Sequence, residues 1–371
     1  MQKKILIVVG TRPEAIKMAP VILGLKNQKW AEVCIVATAQ HRKLLDQVFN
    51  VFKIRADIDL NIMQKNQSLS KLTSRLFDKF DKMLSKKKPD IVLAQGDTTT
   101  ALVANIVCFY KNICFGHIEA GLRTWDIKNP FPEEMNRQFI SKTAKLHFAT
   151  TKLAKQNLIK ENIDPKKIFI TGNTVIDALL LILKKTKKIN FSKIKPKEKI
   201  ILVTCHRREN FKKPIINICK ALKSIALNNK DIKIIFSVHP NPNVKKIVFK
   251  TLKKIKNIIL SKPLTYEKFI HIMKMSYLII TDSGGIQEEA PSFGIPVLII
   301  RTKTERPEAI NAGVSKIIGT GTNNIVKITN RLLKNEKYYK KIAKISYPYG
   351  RGNSAKKIIN IIKKFNLNKN Y

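Results

Sequence analysis

Short apolar runs recur along the chain. Each ends in a glycine-containing or polar corner, and most corners lead into residues with helical spacing. Ile5 to Val9 (ILIVV) is the first, and behind Gly10-Thr11-Arg12-Pro13-Glu14 the residues Ala15, Met18, Ala19, Ile22 and Leu25 line one helix face. Unbroken apolar runs of this length predict parallel strands buried on both faces. Further strands are predicted over Glu32 to Ala37, Asp90 to Ala94, Ile113 to His117, Leu146 to Ala149 and Ile168 to Thr171 in the front half. The back half offers Lys199 to Val203, Ile232 to Ser237, Ile258 to Leu260, Leu278 to Ile280 and Val297 to Ile300. Between the halves, the lysine-rich stretch from Lys184 to Lys199 reads as a linker. An amphipathic helix carrying Ala355, Ile358, Ile359, Ile361, Ile362 and Phe365 closes the chain. The alternation predicts an α/β protein of two Rossmann-like domains, with the strand ends of both pointing into a central cleft.

The stretch around which the rest is arranged is LIITDSGGIQEEAPSFGIPVLII, Leu278 to Ile300: strand, tight turn, helix start, strand. Gly284 and Gly285 let backbone N–H groups approach an anion with no Cβ in the way, and the helix start adds partial positive charge, a setting that suits a diphosphate. Glu288 and Glu289 follow within about one turn, in reach of sugar hydroxyls. A plain tight turn with a solvated helix face is the competing reading. Other corners carry more chemistry. Arg12 and Lys17 stand at and just inside the first strand–helix corner. Asp97 lies at the carboxyl end of the Asp90 to Ala94 strand, in Gln95-Gly96-Asp97-Thr98, where it either caps the next helix or reacts. His117 and Glu119 lie at the following strand end, and Glu133 and Glu134 in the loop beyond. Carboxylates converging on one cleft repel, which equips at least one for proton transfer. In the back half His206 and His239 each sit just past a strand.

Composition narrows this picture. The 371 residues suit two domains. No apolar run is long enough to cross a bilayer and the N-terminus enters a strand at once, so a cytoplasmic protein is expected, with no membrane partner. Cys34, Cys108, Cys114, Cys205 and Cys219 have no zinc-like spacing and read as reduced thiols. A formal charge of +45 invites a nucleic-acid partner. Yet the lysines are spread over nearly every predicted helix with few interleaved aromatics, so no specific nucleic-acid partner is expected, only weak, salt-sensitive binding to polyanions.

The blocks GTRPEAIKMAP, GDTTT, GHIEAGLRT, PFPEEMNR, GNTVIDAL, CHRREN, VHPNPNV, TDSGGIQEEAPSFGIPV and TERPEA run in order over nearly the whole chain. Together they resemble the bacterial non-hydrolysing UDP-N-acetylglucosamine 2-epimerases. The resemblance implies the GT-B type of fold. Residues 1–171 would form the N-terminal domain on the sugar and catalytic side, 172–351 the UDP-binding domain, and a final helix, 352–371, would pack back on the first. It implies interconversion of UDP-GlcNAc and UDP-ManNAc with no added cofactor or metal, by a cytoplasmic homodimer supplying ManNAc units for cell-surface polysaccharide. At matching positions it places Asp97, Glu119, Glu133 and His206 among the catalytic residues, with Arg12 and Lys17 beside them. Leu264 and Phe269 would receive the uracil, Ser283, Gly284 and Gly285 the diphosphate, Glu289 the ribose, and Arg306 the ligand's negative charge. Gln40, His41, Gln67, Arg207 and His239 match residues linked with activation by a second UDP-GlcNAc. Asn66, where relatives carry Arg, and Cys205, where glycine is frequent, depart from the pattern. Sister activities on the same scaffold stay open: a hydrolysing 2-epimerase, a UDP-diacetamido-uronate 2-epimerase or a GT-B glycosyltransferase. So does a non-catalytic polyanion-binding protein.

Overall fold

The computed structural model describes residues 2–38, 42–64, 67–186 and 198–366. The chain divides into two compact units, Met1–Leu181 with Tyr349–Tyr371, and Ile182–Pro348.

The first unit is built on β1 (Lys3–Val9), β2 (Ala31–Ala37), β3 (Ile58–Asp59), β4 (Ile91–Gln95), β5 (Cys114–Ala120), β6 (Leu146–Ala149) and β7 (Ile168–Ile170). They form one parallel sheet in the order β3-β2-β1-β4-β5-β6-β7. The chain adds strands in one direction from β1 to β3 and then in the other from β4 on, so the switch point lies between β1 and β4, where open α/β sheets bind their ligands. Leu6, Val8, Val92 and Phe115 pack with Leu76, Phe80 and Val103 of covering helices in a core that excludes water. Each such side chain contributes about 1.5–3 kcal/mol of burial free energy.

The chain's end completes this unit. Helix Ser354–Lys364 buries Ala355, Ile358, Ile359 and Ile362 and packs on helix Arg12–Lys26, where Gly24 leaves room for Ile359. The Asp177 carboxylate accepts the N–H groups of Ser354 (3.2 Å) and Ala355 (3.0 Å) at its start. Lys3 Nζ donates to the carbonyls of Ile362 (2.8 Å) and Phe365 (2.6 Å) at its end. Both contacts suit the helix dipole.

The second unit holds β8 (Lys199–Cys205), β9 (Ile232–Val238), β10 (Ile258–Ser261), β11 (Leu278–Thr281), β12 (Val297–Ile299) and β13 (Ser315–Ile317). This sheet is also parallel, in the order β10-β9-β8-β11-β12-β13, with its switch point between β8 and β11. Its core joins Ile201, Val203, Phe236 and Ile280 to Ile218, Leu222 and Leu332.

Three local expectations change. β5 runs on to Ala120, past His117, because every residue of Cys114–Ala120 is buried and its polar members have partners inside the fold. Glu133 opens helix Glu133–Thr143 instead of lying in the loop before it. Asp97 does not cap the helix Thr99–Tyr110: Thr98 does, its side chain accepting the N–H of Ala101, which leaves the Asp97 carboxylate to other contacts.

Candidate functional site

In the first unit Glu119 is the centre of the polar cluster. It holds φ 67, a left-handed conformation uncommon outside glycine, at a register irregularity between Ile118 and Ala120 on the β5–β6 edge. Such a bulge re-aims a side chain that the strand's ordinary alternation would send elsewhere. The carboxylate receives Gln95 Nε2 (3.0 Å) from β4, Asn173 Nδ2 (2.7 Å) from the start of helix Thr174–Lys185, and a short ion pair from Lys17 of helix Arg12–Lys26. Both ion-pair partners are buried. A buried carboxylate held by this many donors keeps one orientation. His117, further back on β5, plays a different part: burial pushes it down to about 4, so it is neutral at pH 7 and its Nε2–H donates to the Gly96 carbonyl (2.7 Å). It shapes the turn leading to Asp97.

Asp97 follows the end of β4. Its Oδ2 accepts Nε (2.9 Å) and Nη2 (2.7 Å) of Arg137 in a forked ion pair, and its carbonyl accepts Asn136 Nδ2 (2.7 Å). Arg137 also holds the fully buried Glu134 at 2.6 Å. Three of the acids expected to repel one another are instead matched to cations, Asp97 and Glu134 to Arg137 and Glu119 to Lys17. Burial without such partners would be too costly. Glu133 and Arg12 are the first residues of their helices, both partly buried. Behind Arg12, buried Glu14 ties the two corners of the switch point together. It accepts the N–H groups of Gly10 (2.7 Å) and Thr11 (2.6 Å) after β1 and the Thr98 hydroxyl (2.5 Å) after β4, while burial pushes its own carboxyl up.

In the second unit His206 and Asp282 stand at the ends of β8 and β11, on either side of that sheet's switch point. Asp282 is completely buried and receives the backbone N–H groups of His206 (2.9 Å) and Arg207 (2.9 Å), Asn210 Nδ2 (2.9 Å) and the His206 ring at Nδ1 (3.0 Å). Burial alone would raise its carboxyl, but these donors and the His206 charge hold it well below the usual carboxylate range. His239, past β9, lays its ring along His206 with centroids 6.5 Å apart, and is itself pushed down by burial and by His206.

Ser283 precedes the short helix Gly284–Glu289. A Cβ on Gly284 would come within 2.5 Å of the Arg306 guanidinium, whereas one on Gly285 would meet only Ser283 Oγ, at 4.0 Å. The first glycine is thus required by Arg306, the second leaves open space over the turn. Arg306 donates to Glu288 (2.6 Å) and makes a short pair with Glu305, which also takes Arg301 (2.9 Å) and Arg207 (3.3 Å). Glu288 is thus buried against Arg306. Glu289 accepts the Tyr266 hydroxyl (2.7 Å), which ties it to helix Tyr266–Met275; Phe269 is partly buried on that helix, and Leu264 partly buried just before it. Gln67, in the first unit, receives Arg75 in a short hydrogen bond. Gln40, His41 and Asn66 lie outside the described residues.

Sequence reasoning missed Gln95, Asn173, Glu14, Asn210, Tyr266 and Glu305 as parts of these clusters and saw Asp282 only as a turn residue. The signal was present in part: Gln95 and Asp282 follow predicted strands, and Asn173 and Asn210 lie inside recognised blocks.

The family model described as UDP-N-acetylglucosamine 2-epimerase matches residues 24–363. A Campylobacter jejuni protein named UDP-N-acetylglucosamine 2-epimerase is 50% identical, with 98% of each chain covered. Among solved structures, the UDP-GlcNAc 2-epimerase of Neisseria meningitidis bound to UDP-GlcNAc superposes with a TM-score of 0.95 at 45% identity, covering 98% of this chain and 100% of that one. The Methanocaldococcus jannaschii UDP-GlcNAc 2-epimerase, in complex with UDP-GlcNAc and UDP, gives 0.87 at 33% identity over 98% and 100%. With agreement along nearly its whole length, this chain belongs to the UDP-N-acetylglucosamine 2-epimerase family.

Proposed function

We propose that the protein interconverts UDP-N-acetylglucosamine and UDP-N-acetylmannosamine, without hydrolysis, by eliminating UDP and adding it back. The observation that carries this reading is the pair of partnered carboxylates, Asp97 and Glu119, after and within neighbouring strands of the first sheet. The C2 proton of the sugar is not next to a carbonyl, so its direct removal would leave a poor carbanion. Anti elimination avoids that: the C2–H electrons form the C1–C2 double bond as the C1–O bond to UDP breaks, giving 2-acetamidoglucal. Protonation at C2 on the other face, with UDP returning to C1, completes the inversion. No net oxidation occurs, so the cycle consumes no hydride acceptor.

The step needs a carboxylate base, an acid for the return, and cations with oriented N–H groups to take up charge on the departing diphosphate. We assign the proton work to Asp97, Glu119 and Glu133. Lys17 holds Glu119 in its orientation. Arg12, His206, Arg306 and the Ser283-Gly284-Gly285 turn take the diphosphate, Phe269 with the Leu264 backbone the uracil, and Glu289 the ribose hydroxyls. We further assign the enzyme to the cytoplasm as a homodimer whose product feeds cell-surface polysaccharide.

The test is incubation with UDP-GlcNAc in heavy water, followed at C2 by NMR. The proposal expects deuterium at C2 and a mixture with UDP-ManNAc. Free ManNAc would indicate hydrolysis, and absence of exchange would point to a transferase or a non-enzyme.

A further inference from the structure

We infer that Asp282 is a positioning residue for His206: its carboxylate accepts the Nδ1–H of the imidazole and so turns Nε2, as a second N–H donor, toward the diphosphate of the ligand. The inference rests on the proposed reaction for the identity of that ligand, but its geometry belongs to the second unit alone.

Asp282 and His206 meet because β8 and β11 are parallel neighbours, Thr204 beside Thr281, so that the residues after both strands fall together. Every contact described above brings Asp282 a donor. The Arg207 amide and the Asn210 side chain bond Oδ2, the His206 amide is shared between Oδ2 (2.9 Å) and Oδ1 (3.2 Å), and the His206 ring meets Oδ1 at 3.0 Å. Asn210 is held in turn by the carbonyl of Ile300 (3.2 Å). The adjacent Cys205 thiol is pushed well above its ordinary range by burial and by the Asp282 charge, so it stays protonated and offers no competing anion. A carboxylate facing only donors is an acceptor, which keeps a proton on Nδ1; a diphosphate oxygen is an acceptor too and needs a second proton on Nε2, so the ring meets the ligand as the imidazolium. Two bonds on the His206 backbone and ring, with the His239 ring alongside, fix the plane. The side chain remains 44% exposed while Asp282 is not exposed at all, so the edge bearing Nε2 is the one open to a ligand. The arrangement has the logic of a buried carboxylate orienting a working histidine.

The test uses the full-length protein with 15N-labelled histidine, the His206 signals being assigned by their loss in His206→Asn. In the wild type the inference expects a protonated, hydrogen-bonded Nδ1, and a shift at Nε2 when UDP is added. A bare Nδ1, or a UDP response confined to Nδ1, would overturn it, and this readout needs no variant of Asp282 to fold. Kinetically, Asp282→Asn is expected to lower kcat roughly 10²-fold in the wild-type background, with KM within about threefold, and to cost less than about threefold in a His206→Ala background. An equal loss in both backgrounds, or none in either, would show that Asp282 does not act through His206. If the wild type failed to exchange C2 of UDP-GlcNAc, the proposed reaction would fall, while the tautomer and the UDP shift would still decide the role of Asp282.

Discussion

The two sheets share a plan and use it differently. In each, a buried carboxylate bridges the corners on either side of the switch point: Glu14 between the ends of β1 and β4, Asp282 between those of β8 and β11. In the first unit, however, the bridge is separate from the acids assigned to chemistry. Asp97 and Glu119 have their own cations, Arg137 and Lys17. In the second unit the bridging carboxylate itself holds His206, the side chain proposed to meet the diphosphate. An acid paired with a cation changes its hold on a proton as its surroundings change. A histidine pinned by a fixed anion has its direction set beforehand, which suits binding a diphosphate. The contrast is consistent with the proposed division, proton transfer in the first unit and most of the diphosphate binding in the second.

The largest expected effects are at the acids of the first unit. Glu119→Gln is expected to cut kcat by about 10³-fold with little change in KM, since proton transfer and not binding is removed. Steady-state kinetics read this directly, and a rise in KM alone would blur the contrast between the units.

A smaller effect concerns acid stability. Burial pushes His147, which lies beside His117 across β5 and β6, down to about 3. The unfolded chain takes up this proton near pH 6.5 and the native one only far below. The stabilisation is therefore complete above 6.5 and declines as pH falls. Between pH 6.5 and 5 the wild type is expected to lose about 2 kcal/mol more than His147→Leu. Urea unfolding at the two pH values checks this. Glu14 and Asp177, raised by burial, act with the opposite sign but are common to both proteins and drop out of the difference. Equal slopes would remove His147 from the account.

The smallest effect tests the second unit. Gly284→Ala drives a methyl group into the Arg306 guanidinium. It is expected to raise the Kd for UDP about tenfold, by calorimetry, with kcat at saturation within about threefold.

Much of the fold was legible because runs such as ILIVV and LIIT admit little besides buried parallel strands. β3 and β13 were not, since Ile58–Asp59 and Ser315–Ile317 mix one apolar residue with polar ones and make no apolar run to read. The path of β5 was hidden by Gly116, His117 and Glu119, whose burial depends on partners from elsewhere. The same holds for the site. Residues at strand ends announced themselves, whereas those that orient them did not: Asn173 lies 54 residues from Glu119, and Asp282 lies 76 from His206. Such pairs exist only through strand order and register, which local patterns do not encode.

The division of labour between the units is tested most directly by Asp97→Asn, titrated with UDP and assayed for C2 exchange in heavy water. The account predicts a Kd for UDP within about threefold of wild type and turnover lower by about three orders of magnitude or more. Turnover close to wild type, or loss of UDP binding in step with turnover, would contradict it.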